Sequence, residues 1–245
     1  MINILNAPKP YAIYSLSEKA ITIEFGNVIN EDTWNKINEL NRVITNDPFS
    51  GFIVTVSAYT TLTVFFDPIT VSQSTVLQGI DNFEKVSSYL INCLDKKIQG
   101  ATAENRLIEI PVCYGGRFGP DLKYIADYNN LSVDNAVVFH SSAEYKVYMI
   151  GFIPGFAYLG GMTEKIAAPR KAEPRKAVPA GSIGIAGNQT GIYPLQTPGG
   201  WQLIGQTPLK LFDVNRETPS LLKAGDTIKF VPISESDFEA HHSNL

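Results

Sequence analysis

Residues 151–208 hold 11 of the chain's 19 glycines and 7 of its 15 prolines. That density rules out long helices, because proline removes a helical N–H and glycine loses the most entropy on ordering. Taken alone it also fits a disordered chain. The same stretch, however, carries Phe152, Phe156, Tyr158, Leu159, Ile183, Ile185, Ile192, Tyr193, Leu195, Trp201, Leu203 and Ile204. Disordered segments lack such residues, which supply the burial that drives folding. Short apolar strands joined by rigid turns satisfy both facts and predict a closed or nearly closed β barrel. No helix is expected between Gly151 and Leu209, so strand–helix–strand units are not available there.

The first hundred residues have a different texture. Ile21, Ile23 and Phe25 alternate with polar residues as in a half-buried strand. Asn30 then caps a helix with Glu31 and Asp32 in its first turn and Trp34, Ile37, Leu40 and Ile44 on one face. Strands follow at 52–56 and 62–66, and Asp67-Pro68 ends the second. The apolar residues Val76, Leu77, Ile80, Phe83, Leu90, Ile91, Leu94 and Ile98 predict one long helix. The order strand, helix, strand, strand, helix suggests a small sheet with helices on one face. A polar, small-residue stretch at 99–105 marks a junction, giving an α+β domain over 1–103 and a barrel domain over 104–245. The second half opens with a strand at 107–114 and a helix from Pro120 to about Asn130. A helix from Ser132 to His140 and a strand at 145–150 follow, and a last strand covers 227–232. The residues after Ser234 read as a frayed polar tail.

Charge and cysteine usage exclude several functions. The net charge of −4 argues against general nucleic-acid or anionic-membrane binding, both of which need excess Lys and Arg. No apolar run approaches the roughly 20 residues of a membrane span, and the N-terminus lacks the basic and apolar regions of a signal peptide. Cys93 and Cys113 have no metal-ligand spacing, so reduced thiols in a cytoplasmic protein are expected, with no metal site. Gly181, Gly184 and Gly187 make neither a dinucleotide fingerprint nor a P-loop, because the spacing is wrong and no helix follows. His140 ends a helix, where a cation suits the C-terminal dipole. No Gly-x-Ser-x-Gly elbow is present, but a triad through Ser141 or Ser182 stays open.

The segment APRKAEPRKAVPAG, 168–181, places Arg170 and Arg175 each behind a proline. Two readings compete: charges on a solvated loop, or the wall of an anion site. Proline fixes the local backbone and lowers the entropy lost on presenting a guanidinium. A straight strand would put two residues five apart on opposite faces, so a shared pocket requires the chain to bend between them. The aromatic loop 151–161, with Phe156 and Tyr158, and the loops around Gln189, Thr190, Tyr193 and Trp201 offer apolar bodies with polar tips, the make-up of small-molecule pockets.

Read together, GFIPGFAYLGG, PRKAEPRKAVPAGSIGIAG, QTGIYP, TPGGWQLIGQTP and AGDTIKFVPI resemble the family of the 5-oxoprolinase B subunit, also called the KipI or allophanate hydrolase subunit 1 family. IPVCYGGRFGPDL (110–122) extends the likeness, and it spans nearly the whole chain. The resemblance implies an α+β N-terminal domain followed by a cyclophilin-like β barrel. It implies work with A and C subunits in the ATP-dependent opening of 5-oxo-L-proline to L-glutamate, with ATP and Mg held with a partner in the complex and little activity in the chain alone. It carries Arg170 and Arg175 over as substrate- or phosphate-site candidates, with His140, Phe156, Tyr158, Gln189, Thr190, Tyr193 and Trp201 around them. One branch of the family instead implies an inhibitor of a sensor histidine kinase.

Overall fold

The computed structural model describes residues 10–96 and 106–242. The chain divides into two compact units, Met1–Ala101 and Thr102–Leu245. The junction expected over 99–105, and the expected boundary after residue 103, lie outside the described residues, as does Ile98.

In the first unit, strands β1 (Ala12–Ser17), β2 (Ala20–Glu24), β3 (Phe52–Ser57) and β4 (Thr61–Phe66) form an antiparallel sheet in the order β1-β2-β4-β3. Helix α1 (Glu31–Asn46) starts where expected, because Asn30 accepts a hydrogen bond from the Thr33 backbone N–H at 2.8 Å. Its buried face carries Trp34, Ile37, Leu40, Val43 and Ile44. Strand β1 was not expected from the sequence. It is an edge strand whose Tyr14 and Leu16 stay exposed, so it leaves no clear burial pattern.

A short helix that was not expected, α2 (Pro68–Gln73), comes next, and of the long helix expected over 76–98 the described residues form only α3 (Asn82–Leu94). Local features set both starts. Asp67 caps α2 by accepting from the Ile69 N–H, and Asp81 caps α3 by accepting from the Glu84 N–H. Gly79, at φ +153°, presses so close to α3 that a Cβ there would lie 2.5 Å from the Lys85 nitrogen. Val76 and Ile80 are consequently almost fully exposed. Lys85 is buried, and its ammonium donates to the carbonyls of Val71, Ser72 and Ser74, closing the end of α2.

The second unit is built on a closed barrel. In circular order it contains β10 (Gln189–Ile192), β7 (Ala157–Gly160), β6 (Glu144–Ile150), β13 (Thr227–Pro232), β5 (Leu107–Tyr114), β12 (Gln202–Gln206) and β9 (Ser182–Ala186). The C-terminal strand β13 is central: it runs parallel to β5 and antiparallel to β6. Its entry turn holds Gly225 at φ +95° and the fully buried Asp226. The Asp226 carboxylate accepts from two Arg106 nitrogens and from the Lys223 N–H, so this buried charge is paired. Helices α4 (Leu122–Tyr128) and α5 (Val133–Ser141) pack on the barrel. A two-stranded ribbon, β8 (Arg175–Val178) with β11 (Thr197–Gly199), stands beside it.

The tail after Ser234 is helical, not frayed: α6 spans Glu235–His242. Ser234 and Asp237 cap each other reciprocally. Phe238 packs on Phe118 at 4.5 Å, and Arg117 pairs with Glu235 and Glu239.

Candidate functional site

A cleft of about 130 Å³ opens between the ribbon and the barrel wall. Its apolar walls come from Phe152, Phe156 and Trp201, its hydroxyls from Tyr158 and Tyr193, and its cation from Arg170. The rings meet edge to face, with Phe156 at 4.8 Å from Tyr158, 5.4 Å from Tyr193 and 5.7 Å from Trp201. Glycines allow this approach. A Cβ on Gly191 would sit 3.0 Å from the Trp201 ring and 3.1 Å from Phe156, and one on Gly184 would sit 2.9 Å from the Trp201 Cβ. The glycines of β9 and β10 therefore make a floor on which the indole lies.

Arg170 is exposed and lies over Trp201, with its guanidinium carbon 5.9 Å from the ring centre. Among the described residues no carboxylate lies within ion-pair distance of it. Its charge reaches both phenols. Burial raises the pKa of Tyr158 and of Tyr193; Arg170 offsets part of the rise at Tyr158, and at Tyr193 a hydrogen bond with the Trp201 backbone does so ahead of Arg170 and Arg175. Both tyrosines remain protonated near neutral pH and can donate a hydrogen bond. At the mouth, Phe152 holds φ at +69° and is 64% exposed. A left-handed aromatic residue is strained, and such strain gathers at functional sites.

The two arginines of the Pro-Arg repeat go to different places. Arg170 lines the cleft, whereas Arg175 does not. Arg175 opens β8 and donates to Asp121 Oδ1 at 2.8 Å. The other carboxylate oxygen, Oδ2, accepts from the Leu203 N–H at 2.7 Å, and Lys171 lies 3.6 Å from Oδ1. Asp121 thus ties the repeat to β12. Asp121 lies in the motif 110–122, but nothing local marks it as an anchor, because its partners lie 50 to 82 residues away. The repeat is fixed elsewhere too: the Lys171 N–H donates to the Gly200 carbonyl, and Gln202 donates to the Pro169 carbonyl.

His140 and Thr190 lie inside the barrel with no exposure and do not line the cleft. His140 Nε2 meets Thr190 Oγ1 at 3.0 Å, and Nδ1 meets the Tyr114 hydroxyl at 2.8 Å. Thr190 has one hydroxyl hydrogen, which it gives to the Gly184 carbonyl at 3.1 Å. The proton on the ring therefore sits on Nε2, and Nδ1 accepts from Tyr114. Burial lowers the His140 pKa to about 3. The expected helix-end cation is therefore a neutral imidazole stacked on Phe230. A triad is closed off as well, because the Ser141 hydroxyl donates to Val137 and both His140 nitrogens are occupied. Gln189 starts β10 and pairs with Ala186, outside the cleft lining.

Both cysteines are buried and free, and burial raises both thiol pKa values. No described helix is long and apolar enough to cross a membrane.

The chain is similar to known proteins. The family described as "Carboxyltransferase domain, subdomain C and D" matches residues 11–222. The 5-oxoprolinase B subunit of Bacillus subtilis (strain 168) is 49% identical over 232 residues, covering 94% of this chain and 96% of that protein. A conserved uncharacterized protein from Pyrococcus horikoshii, of solved structure, is 41% identical with a TM-score of 0.54, covering 93% of this chain and 100% of that one. The solved urea amidolyase of K. lactis shares the fold at a TM-score of 0.74 and 18% identity, with 94% of this chain matched to 15% of that chain.

Proposed function

The chain belongs to the family of the 5-oxoprolinase B subunit, within the carboxyltransferase-domain family, and on that premise we propose that it is the B subunit of an ATP-dependent 5-oxoprolinase. Acting with A and C subunits in the cytoplasm, the complex opens 5-oxo-L-proline to L-glutamate. The observation that carries this reading is identity of 49% over nearly the full length of both chains, so no domain of the relative is left unmatched. The seven-stranded barrel is read as cyclophilin-like, with the four-stranded unit as its N-terminal partner domain.

The chemistry is consistent with a multi-subunit enzyme. A lactam amide is unreactive toward water, and ATP, when bound in the complex, supplies phosphoryl activation of its carbonyl. The cleft in this chain does not fit ATP with magnesium. It holds about 130 Å³, has one guanidinium, and none of its described lining residues is a carboxylate. Pockets for drug-sized ligands run from about 300 Å³ upward. This cleft is therefore not read as the nucleotide site, and this chain alone is expected to turn over little or no substrate.

The test is reconstitution. The chain is combined with A and C subunits, and ADP and L-glutamate are measured with and without 5-oxo-L-proline. Dependent formation of both products supports the reading. An inactive complex, when the Bacillus subtilis protein restores turnover with the same partners, overturns it. Suppression of a sensor histidine kinase's autophosphorylation by the chain alone, without 5-oxo-L-proline, would favour the regulatory branch.

A further inference from the structure

We infer that the aromatic cleft under Arg170 is the carboxylate-binding subsite for a small, flat, singly charged lactam acid. The inference rests on the reading of the chain as a component of 5-oxoprolinase and assigns this cleft the substrate, not the phosphates. Three observations carry it.

The first is charge. Four basic side chains, Arg170, Lys171, Arg175 and Lys176, lie in the repeat, and of these only Arg170 lines the cleft. Arg175 and Lys171 both face Asp121, at 2.8 and 3.6 Å, and Asp121 neutralises one of them while holding both. Arg170 lines the cleft and has no carboxylate partner among the described residues. A planar guanidinium with a free fork matches one carboxylate in a bidentate pair. Phosphate sites gather several donors, from backbone N–H nests, helix N-termini or extra cations. No helix N-terminus and no lysine contributes to this lining.

The second is shape. Phe156 and Trp201 stand perpendicular, at 90°, and Tyr193 is at 82° to Phe156. Rings packed edge to face in this way make a rigid aromatic wall, and the cleft volume of about 130 Å³ suits a five-membered ring with its substituent. Gly199 belongs to the same lining, and a side chain there would meet the Tyr193 hydroxyl at 2.5 Å.

The third is hydrogen bonding. A lactam presents a neutral carbonyl and an N–H beside its carboxylate. Tyr158 and Tyr193 share the lining with Arg170, and both phenols are neutral near pH 7, the Tyr193 hydroxyl also meeting the Trp201 backbone. One cation for the acid and phenols for the amide complete the complement of such a ligand, and Phe152 stands at the mouth.

The experiment uses the full chain carrying Trp34→Phe, which leaves Trp201 as the sole indole. Its emission is titrated with 5-oxo-L-proline, with pyrrolidin-2-one, which lacks the carboxylate, and with ATP and magnesium. A saturable response is expected for 5-oxo-L-proline, one weaker by about tenfold or more for pyrrolidin-2-one, and none for the nucleotide. Arg170→Gln should weaken 5-oxo-L-proline binding by about tenfold or more with an unchanged melting temperature. A response to ATP equal to that for the lactam acid, or lactam binding unaffected by Arg170→Gln, overturns the assignment. The same titration and the KM for 5-oxo-L-proline are read in the complex with A and C. Turnover with an unchanged KM in Arg170→Gln, or turnover with no lactam response from Trp201, sinks the subsite and leaves the proposed enzyme role standing. Lactam binding without any turnover, where the Bacillus subtilis protein is active, does the reverse.

Discussion

Replacing Arg175 with alanine should destabilise the barrel unit, although the residue sits beside the cleft and its sequence motif suggests a ligand clamp. The substitution leaves the Asp121 carboxylate, whose side chain is 10% exposed, without its 2.8 Å partner. Stranding a fully buried ion costs about 3–5 kcal/mol. Here the cost is smaller. The Leu203 N–H still donates at 2.7 Å, Lys171 waits at 3.6 Å, and the Arg175 side chain is itself 24% exposed, so water already screens the pair. About 2 kcal/mol is expected, which in a unit of this size lowers the melting temperature by about 5–10 °C. The assay is urea unfolding followed by Trp201 emission in the Trp34→Phe background, run on Arg175→Ala, Asp121→Asn and the double variant. Asp121 and Arg175 should couple by about 1 kcal/mol or more, because the second substitution removes a group the first has already orphaned. Arg170→Ala is the control and should change stability by less than about 0.5 kcal/mol, since it is exposed and has no ion-pair partner among the described residues. An Arg175→Ala protein that unfolds with the wild type, or a cycle with no coupling, refutes the latch and returns Arg175 to the ligand site.

Other sites give sharper single tests. His140 is neutral in the fold, with its pKa lowered by burial to about 3, against an ordinary value near 6.5. The unfolded chain therefore binds the extra proton, and stability should fall as pH drops below about 6.5, by up to about 1.4 kcal/mol per unit until near pH 3. His140→Gln should remove that component from the pH dependence of the urea midpoint, and an unchanged slope would show that the imidazole is charged when folded. Lys85→Met removes the donor to three carbonyls at the end of α2 and should cost the first unit about 2–3 kcal/mol. Amide exchange should then rise in α2 before α1, and uniform protection would contradict the capping role. Gly191→Ala pushes a methyl to 3.0 Å from Trp201 and 3.1 Å from Phe156, so it should cost about 1–3 kcal/mol and shift the Trp201 emission. Wild-type emission and stability would mean the indole does not rest on that strand.

What the sequence made legible depends on how local the cause is. The caps at Asn30 and Ser132 act over three residues, and both helices begin where the sequence places them. The strand 107–114 matches to the residue, since it is bounded by Gly115 and Gly116, which take positive φ. The barrel was legible from its mixture of turn formers and buried apolar residues, although its circular order, with β13 slotted between β5 and β6, was not. Apolar periodicity misled over 76–98, because Val76, Leu77 and Ile80 keep helical spacing while Gly79 and the Asp81 cap break the helix between them. In the tail, Ser234 and Asp237 carried a readable capping signature that polar composition obscured. At the site, residue types identified the aromatic lining and Arg170 but could not separate Arg170 from Arg175. Each follows a proline, each has glycines and rings nearby, and only a partner 54 residues away distinguishes them. The proline repeat does more than stiffen the chain, then. One arginine uses its charge to hold the segment to β12 through Asp121, and that anchoring leaves the other to face the cleft.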